Sequence, residues 1–155
     1  MRAIDWRAAI WAGIVAGIVA TALQIVLWAV FGHPLPETLY RDARFVAAIV
    51  LGQDVLPPPA SFVPLVFSVA TLVHFALSIA YGIAIAMLVL RRLLLPGLIV
   101  GLLFGAALFA VNLYGFTALF PWFAAVRDPI TFAAHLAFGA TAALTYRLVS
   151  GTGVE

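Results

Sequence analysis

The stretch "AAIWAGIVAGIVATALQIVLWAVF", residues 8–31, runs for 24 positions without one Asp, Glu, Lys or Arg. About 20 mostly apolar residues are enough for a helix to cross the hydrocarbon core of a bilayer. This stretch therefore reads as a transmembrane helix, and three more follow it. Residues 60–90, 93–126 and 129–146 are equally free of charge. The expected fold is an all-α polytopic membrane protein of one domain, residues 1–155. It has four transmembrane helices, at about 8–31, 61–90, 96–120 and 129–149. Composition agrees. Hydrophobic residues make up 66% of the chain and charged residues 9%, against roughly 25% charged in a soluble domain. A cleaved signal peptide needs a shorter apolar core and a small-residue cleavage site. Here "WAVFGHPLP" closes the run, so a retained helix is expected.

Helices in lipid end where their free backbone groups find water or protein partners. The breaks "GHPLPETLYRDAR", "RRLLLPG" and "FPWFAAVRDP" carry the proline, glycine and charge that mark such ends. In the last, Asp128 before Pro129 has the form of an N-cap with proline at the first helical position. Within the first, Glu37, Arg41 and Arg44 recur at helical spacing, with Leu39, Ala43, Val46 and Val50 on another face. That pattern predicts an amphipathic helix over 37–51. At ~1.5 Å per residue it covers only about 22 Å, too little to cross, so it is expected to lie along the outer surface. Gly52 should stop it, and Pro57-Pro58-Pro59 follows.

Arginine placement predicts orientation, because basic residues near span ends favour the cytoplasm. Arg2, Arg7, Arg91, Arg92 and Arg147 fall on one side, and Arg41, Arg44 and Arg127 on the other. Both termini are thus expected inside. Trp6, Trp11 and Tyr146 would lie near the inner interface, and Trp28, Tyr40 and Trp122 near the outer one.

The same composition excludes several functions. With a net charge of +2 the chain is no polycation for nucleic acid. Without cysteine it has no disulfide, thiolate metal site or cysteine-ligated iron–sulfur cluster. No phosphate-binding glycine loop, nucleophile elbow or HExxH motif occurs. Non-enzymatic roles are favoured.

A weak repeat relates Gly13, Gly17 and Gln24 to Gly101, Gly105 and Asn112. Each helix bearing this pattern is followed by one carrying a single histidine, His74 or His135. Two helical hairpins about an axis along the membrane normal would produce such a pattern, as would chance in a glycine-rich chain. Ionisable groups inside spans are costly and usually face the bundle interior. His74, His135, Asn112 and Gln24 are expected at similar depth in the outer half. Ser78 and Tyr81 lie on the same stripe as Thr71 and His74.

The plainest use of such groups is hydrogen bonding between helices. Three functional uses compete with it. The two imidazoles suit axial ligation of haem b, with Gly17, Gly82, Gly105 and Gly139 leaving room for the porphyrin. A histidine near the aqueous face can instead sense or relay protons between about pH 5 and 8. A solute carrier or channel is the third possibility. Zinc held by His33, His74 and His135 is disfavoured, since no carboxylate or thiol lies within a span. Arg41, Arg44 and Arg127 offer an anion site, against the simpler reading of solvated or capping groups.

From "HFALSIAYG" through "GLIVGLLFGAALFAVN" to "FPWF" and "HLAFG", about residues 72–147, the chain resembles the YagU-like bacterial inner-membrane proteins. That resemblance implies a bacterial inner membrane and a link to acid tolerance. Taken together, the expectation is a small accessory subunit or pH-responsive component. Its Gly/Ala-rich faces suit a homo-oligomer or a larger membrane complex.

Overall fold

A computed structural model describes residues 3–56, 58–90 and 93–151. Arg2, Arg91, Arg92 and Pro57, used in the sequence reading, lie outside those residues. The described chain is helical and contains no strand: α1 (Trp6–Val30), α2 (Glu37–Leu51), α3 (Pro64–Val89), α4 (Leu94–Ala110) and α5 (Pro129–Gly151). Irregular helical turns over Val111–Val126 join α4 to α5. Three stretches are long and apolar enough to cross a membrane: Trp6–Val30, Pro64–Val89 and Leu94–Ala118. These mark a membrane protein. Helix α5 has 23 residues but is more polar, interrupted by Thr131, His135, Thr141, Thr145 and Arg147, and falls outside that set.

Local chemistry explains the helix ends. The Asp5 carboxylate accepts from the Ala8 N–H at 3.0 Å, so α1 starts two residues before the uncharged run. At its other end Gly32 adopts a φ of 72°. That left-handed step lets the His33 N–H reach back to the Trp28 carbonyl at 2.9 Å. Helix α2 occupies the residues expected of it and stops at Gly52, whose φ is 84°. Asp128 accepts from the Thr131 N–H at 2.8 Å, capping α5.

Helix α1 packs closely against both α3 and α5, and α5 against α4, whereas α3 and α4 touch sparingly. The closest approaches are made where both chains lack bulk. A Cβ at Gly82 would lie 2.6 Å from Gly13 main-chain atoms, and one at Gly101 would fall on Gly139 and 2.8 Å from the Ala143 Cβ. Small residues let backbones meet, and dispersion then holds the helices together. Between α1 and α5, Ala8, Ala9, Ala12, Ala142 and Ala143 enclose Tyr146 in a dry core. Tyr146 is fully buried, and its hydroxyl lies 3.4 Å from the Asp5 N–H. The expected place of Tyr146 near the inner interface concerns depth along the membrane normal; the packing adds that its ring faces the alanines of α1. Trp28, also assigned to the interface, is 4% exposed.

Helix α2 lies on the start of α3, with Ala43, Val46 and Ala47 against Val66, Val69 and Ala70. The Trp122 indole N–H donates to the Phe45 carbonyl at 2.9 Å, fastening the α4–α5 connection to α2. One end of the bundle is therefore covered.

Candidate functional site: two histidines on two hairpins

The glycine–histidine repeat has a counterpart in the packing. On α1, Gly13 faces the Ser78 carbonyl and Gly17 faces the His74 ring. On α4, Gly101 faces the Gly139 carbonyl and Gly105 faces the His135 main chain. In each hairpin the histidine lies opposite the second glycine. The hairpins differ in what surrounds the ring.

His74 turns toward α1. Its Nε2 lies 3.4 Å from the Thr21 hydroxyl, and a Cβ at Gly17 would stand 3.1 Å from that nitrogen and 2.7 Å from Ser78 Oγ. Ser78 is buried. Thr71, at the N-terminal end of the stripe, is exposed and its hydroxyl donates to the Phe67 carbonyl at 2.8 Å.

His135 turns toward α4. Its Nδ1 lies 2.8 Å from the Thr131 carbonyl, its Nε2 lies 3.5 Å from Asn112 Nδ2, and the Tyr81 hydroxyl donates to Asn112 Oδ1 at 3.0 Å. The chemistry of the partners fixes the proton. A carbonyl only accepts, so Nδ1 carries the hydrogen; an amide NH2 only donates, so Nε2 is bare. The bonds run Tyr81 to Asn112 to His135 to Thr131, each donor meeting an acceptor. Phe109 closes the ring's flank edge-on, with centroids 5.6 Å apart. Toward the start of α5, the Thr131 hydroxyl reaches Asp128 Oδ2 at 3.3 Å.

Asn112 owes its position to a break in helical geometry. Val111–Gly115 forms a single π-helical turn in which the Phe116 N–H reaches back to the Val111 carbonyl. Wide turns of this kind recur at functional positions. Sequence periodicity assumes 3.6 residues per turn and gave no sign of it.

The six residues expected to share one polar cluster thus divide. His74 and Ser78 lie on the α1 side, and His135, Asn112 and Tyr81 on the α4 side. Among the hydrogen bonds of the described residues, none joins the two groups, and Gln24 enters neither. Gly17, Gly82, Gly105 and Gly139, the positions that would have to admit a porphyrin, are each filled by atoms of the facing helix. No group of three metal-ligating His, Cys, Asp or Glu occurs among the described residues.

The three arginines of the anion reading are also occupied separately. Arg41 pairs with Asp42 at 2.8 Å. Arg44 donates to the Val55 carbonyl at 2.7 Å and the Ser61 carbonyl at 3.2 Å. Arg127 donates to the Leu113 carbonyl at 2.6 Å and the Thr117 hydroxyl at 2.7 Å, with its guanidinium 4.4 Å from the Tyr114 ring centre. Arg44 and Arg127 each tie separate stretches of chain together, and Arg41 pairs with the residue beside it. Burial raises the Asp42 carboxyl above its ordinary value, opposed by Arg41 and aided by the nearby negative charge of Asp128.

Compared with known proteins, the chain matches no family model, no curated protein and no solved structure.

Proposed function

We propose that this chain is a small non-enzymatic protein of the bacterial inner membrane, with four spans and both termini cytoplasmic, that responds to protonation at its outer half through His135. The observation that carries this reading is the directional chain from the Tyr81 hydroxyl through Asn112 to His135 and the Thr131 carbonyl. It is satisfied only by neutral imidazole. Protonated imidazole is a donor at both nitrogens, so its Nε2–H would meet the Asn112 NH2 donor to donor. The amide must then turn over, which presents its NH2 to the Tyr81 hydroxyl, so that contact reverses direction as well, with the tyrosine oxygen accepting and its O–H released. One proton therefore rearranges the contact between α3, α4 and α5. Histidine is the side chain whose charge changes between about pH 5 and 8.

Placement near the end that carries α2, the outer end in this topology, favours protonation from outside. Asp128 caps the helix that bears His135 and touches Thr131, whose carbonyl the ring uses. The fourth span is favoured by the packing of α5 between α1 and α4. Exposed Leu72, Leu77, Ile99 and Leu103 suit lipid or neighbouring helices, as an accessory subunit or homo-oligomer requires. The YagU-like resemblance points the same way. The haem reading gains no support from the filled glycine positions.

The test uses the natural absence of cysteine. A fluorophore on Ala124→Cys, an exposed loop position, is followed in lipid nanodiscs between about pH 5 and 8. The signal is expected to titrate in the otherwise wild-type chain and to be flat in His135→Phe. An unchanged titration in His135→Phe overturns the reading.

A further inference from the structure

We infer that Arg127 is the positioning residue of the His135 site, holding the π turn that aims Asn112 at the imidazole. This rests on the reading that the Asn112–His135 bond is the responding element.

A π turn carries one more residue than the α-helix it interrupts, and its carbonyls drift out of line with the N–H groups that would normally reach them. An unpaired carbonyl at the edge of the hydrocarbon region is expensive. Arg127 meets that demand on three sides. Its Nε takes the Leu113 carbonyl, the residue next to Asn112; its Nη2 takes the Thr117 hydroxyl beyond the turn; and its plane lies over Tyr114 within the turn. The Thr117 hydroxyl is also bonded to the Tyr114 carbonyl at 2.9 Å, so the arginine grips a segment already closed on itself. Charge-assisted bonds of this kind are roughly twice as strong as neutral ones. Lysine has one ammonium centre and cannot reproduce the planar fork.

The clamp also couples the two ends of the connection. Arg127 adjoins Asp128, which caps α5, while its guanidinium holds the end of α4. The relative setting of Asn112 and His135 is therefore fixed by adjacent residues. The titratable and charged groups around the histidine are Tyr81 from α3, Arg127 and Asp128 before α5, and Asp42 of α2, whose field reaches Asp128. Tyr81 bonds the Asn112 side chain, whereas Arg127 bonds the main chain of the turn that contains it.

The experiment is nitrogen NMR of histidine-labelled full-length protein in lipid bilayers at neutral pH, with His135 assigned from the signal lost in His135→Phe. The bare Nε2 of an imidazole resonates further downfield when it accepts no hydrogen bond. Arg127→Gln is expected to move the His135 Nε2 signal downfield, to the position seen in Asn112→Leu. Adding Arg127→Gln to Asn112→Leu should move it no further. Arg127→Lys, which keeps the charge if the glutamine variant fails to insert, should also move it downfield. If Asn112→Leu moves the signal and neither Arg127 variant does, the positioning role is overturned and the proposed function stands. If Asn112→Leu itself leaves the signal in place, the underlying bond is refuted, and both fall together.

Discussion

Asp42 is a carboxylate that the fold would rather keep protonated. Burial against α2's surroundings outweighs the Arg41 pair, and Asp128 adds repulsion, so its folded-state pKa stands above the ordinary 3.8. A raised carboxyl pKa contributes stability that is complete below the unfolded value and is lost as pH rises through the folded one. Asp42→Asn should therefore melt higher than the wild type at neutral pH, and the difference should vanish once the pH falls below the unfolded value. Melting curves in detergent across that range check it, and an Asn variant that melts lower at neutral pH contradicts it. At His135 the expected effect is of another kind. Asn112→Leu removes two bonds from a chain of three, and bonds between membrane helices average about 0.6 kcal/mol each. Its stability cost should be small while the pH response is lost. Both histidines and Asn112 were legible from the sequence, because a polar group in an uncharged run stands out. Which neighbour each ring chooses was not, because a stripe on one helix does not say which of two flanking helices it meets.

Among elements, the tightest tests are the glycine crossings. At Gly101 a side chain would have to enter the Gly139 main chain and the Ala143 methyl. Gly101→Val should push α4 from α5 and destabilise by about 1–3 kcal/mol or more, as overpacking does. Gly115→Ala is the control, since a Cβ there meets nothing within 4 Å and its φ is ordinary. Thermal unfolding of the two variants should separate them clearly; equal stability would contradict the close packing. The repeat of Gly-xxx-Gly helices was visible in the sequence, and in both hairpins the histidine does lie opposite the second glycine. The unequal partners of the two repeats were invisible. Thr21 meets His74 where Phe109 meets His135, and that difference appears only once the hairpins are superposed by their contacts. The extent of α2 was legible to the residue, since Glu37 begins an amphipathic pattern and Gly52 ends it. The π turn was not, because the guanidinium that bonds it comes from 14 residues further along.

For the whole molecule the uncharged runs declared the class at once, and four spans remain the economical reading of the proposed topology. Cysteine scanning decides it. Single cysteines at Ala3, Leu95 and Ser150 should label from one side of intact inner-membrane vesicles, and those at Gln53 and Ala125 from the other; Ser150 labelling with Ala125 would remove α5 from the membrane. The bundle is also uneven. Helices α1 and α5 share a dense alanine seam, while their counterparts in the repeat, α3 and α4, meet sparingly. The Tyr81–Asn112 bond crosses that looser side. A rearrangement there disturbs little packing, which suits a site meant to move. The pH response turns on the proton of His135, and the tautomer of that ring in lipid bilayers is the most direct measurement. Hydrogen is expected on Nδ1 with a bonded, bare Nε2 at neutral pH, and the Asn112 amide signals should change in step with the ring as pH falls. Hydrogen on Nε2 at neutral pH, or an Asn112 amide indifferent to the titration, would contradict this.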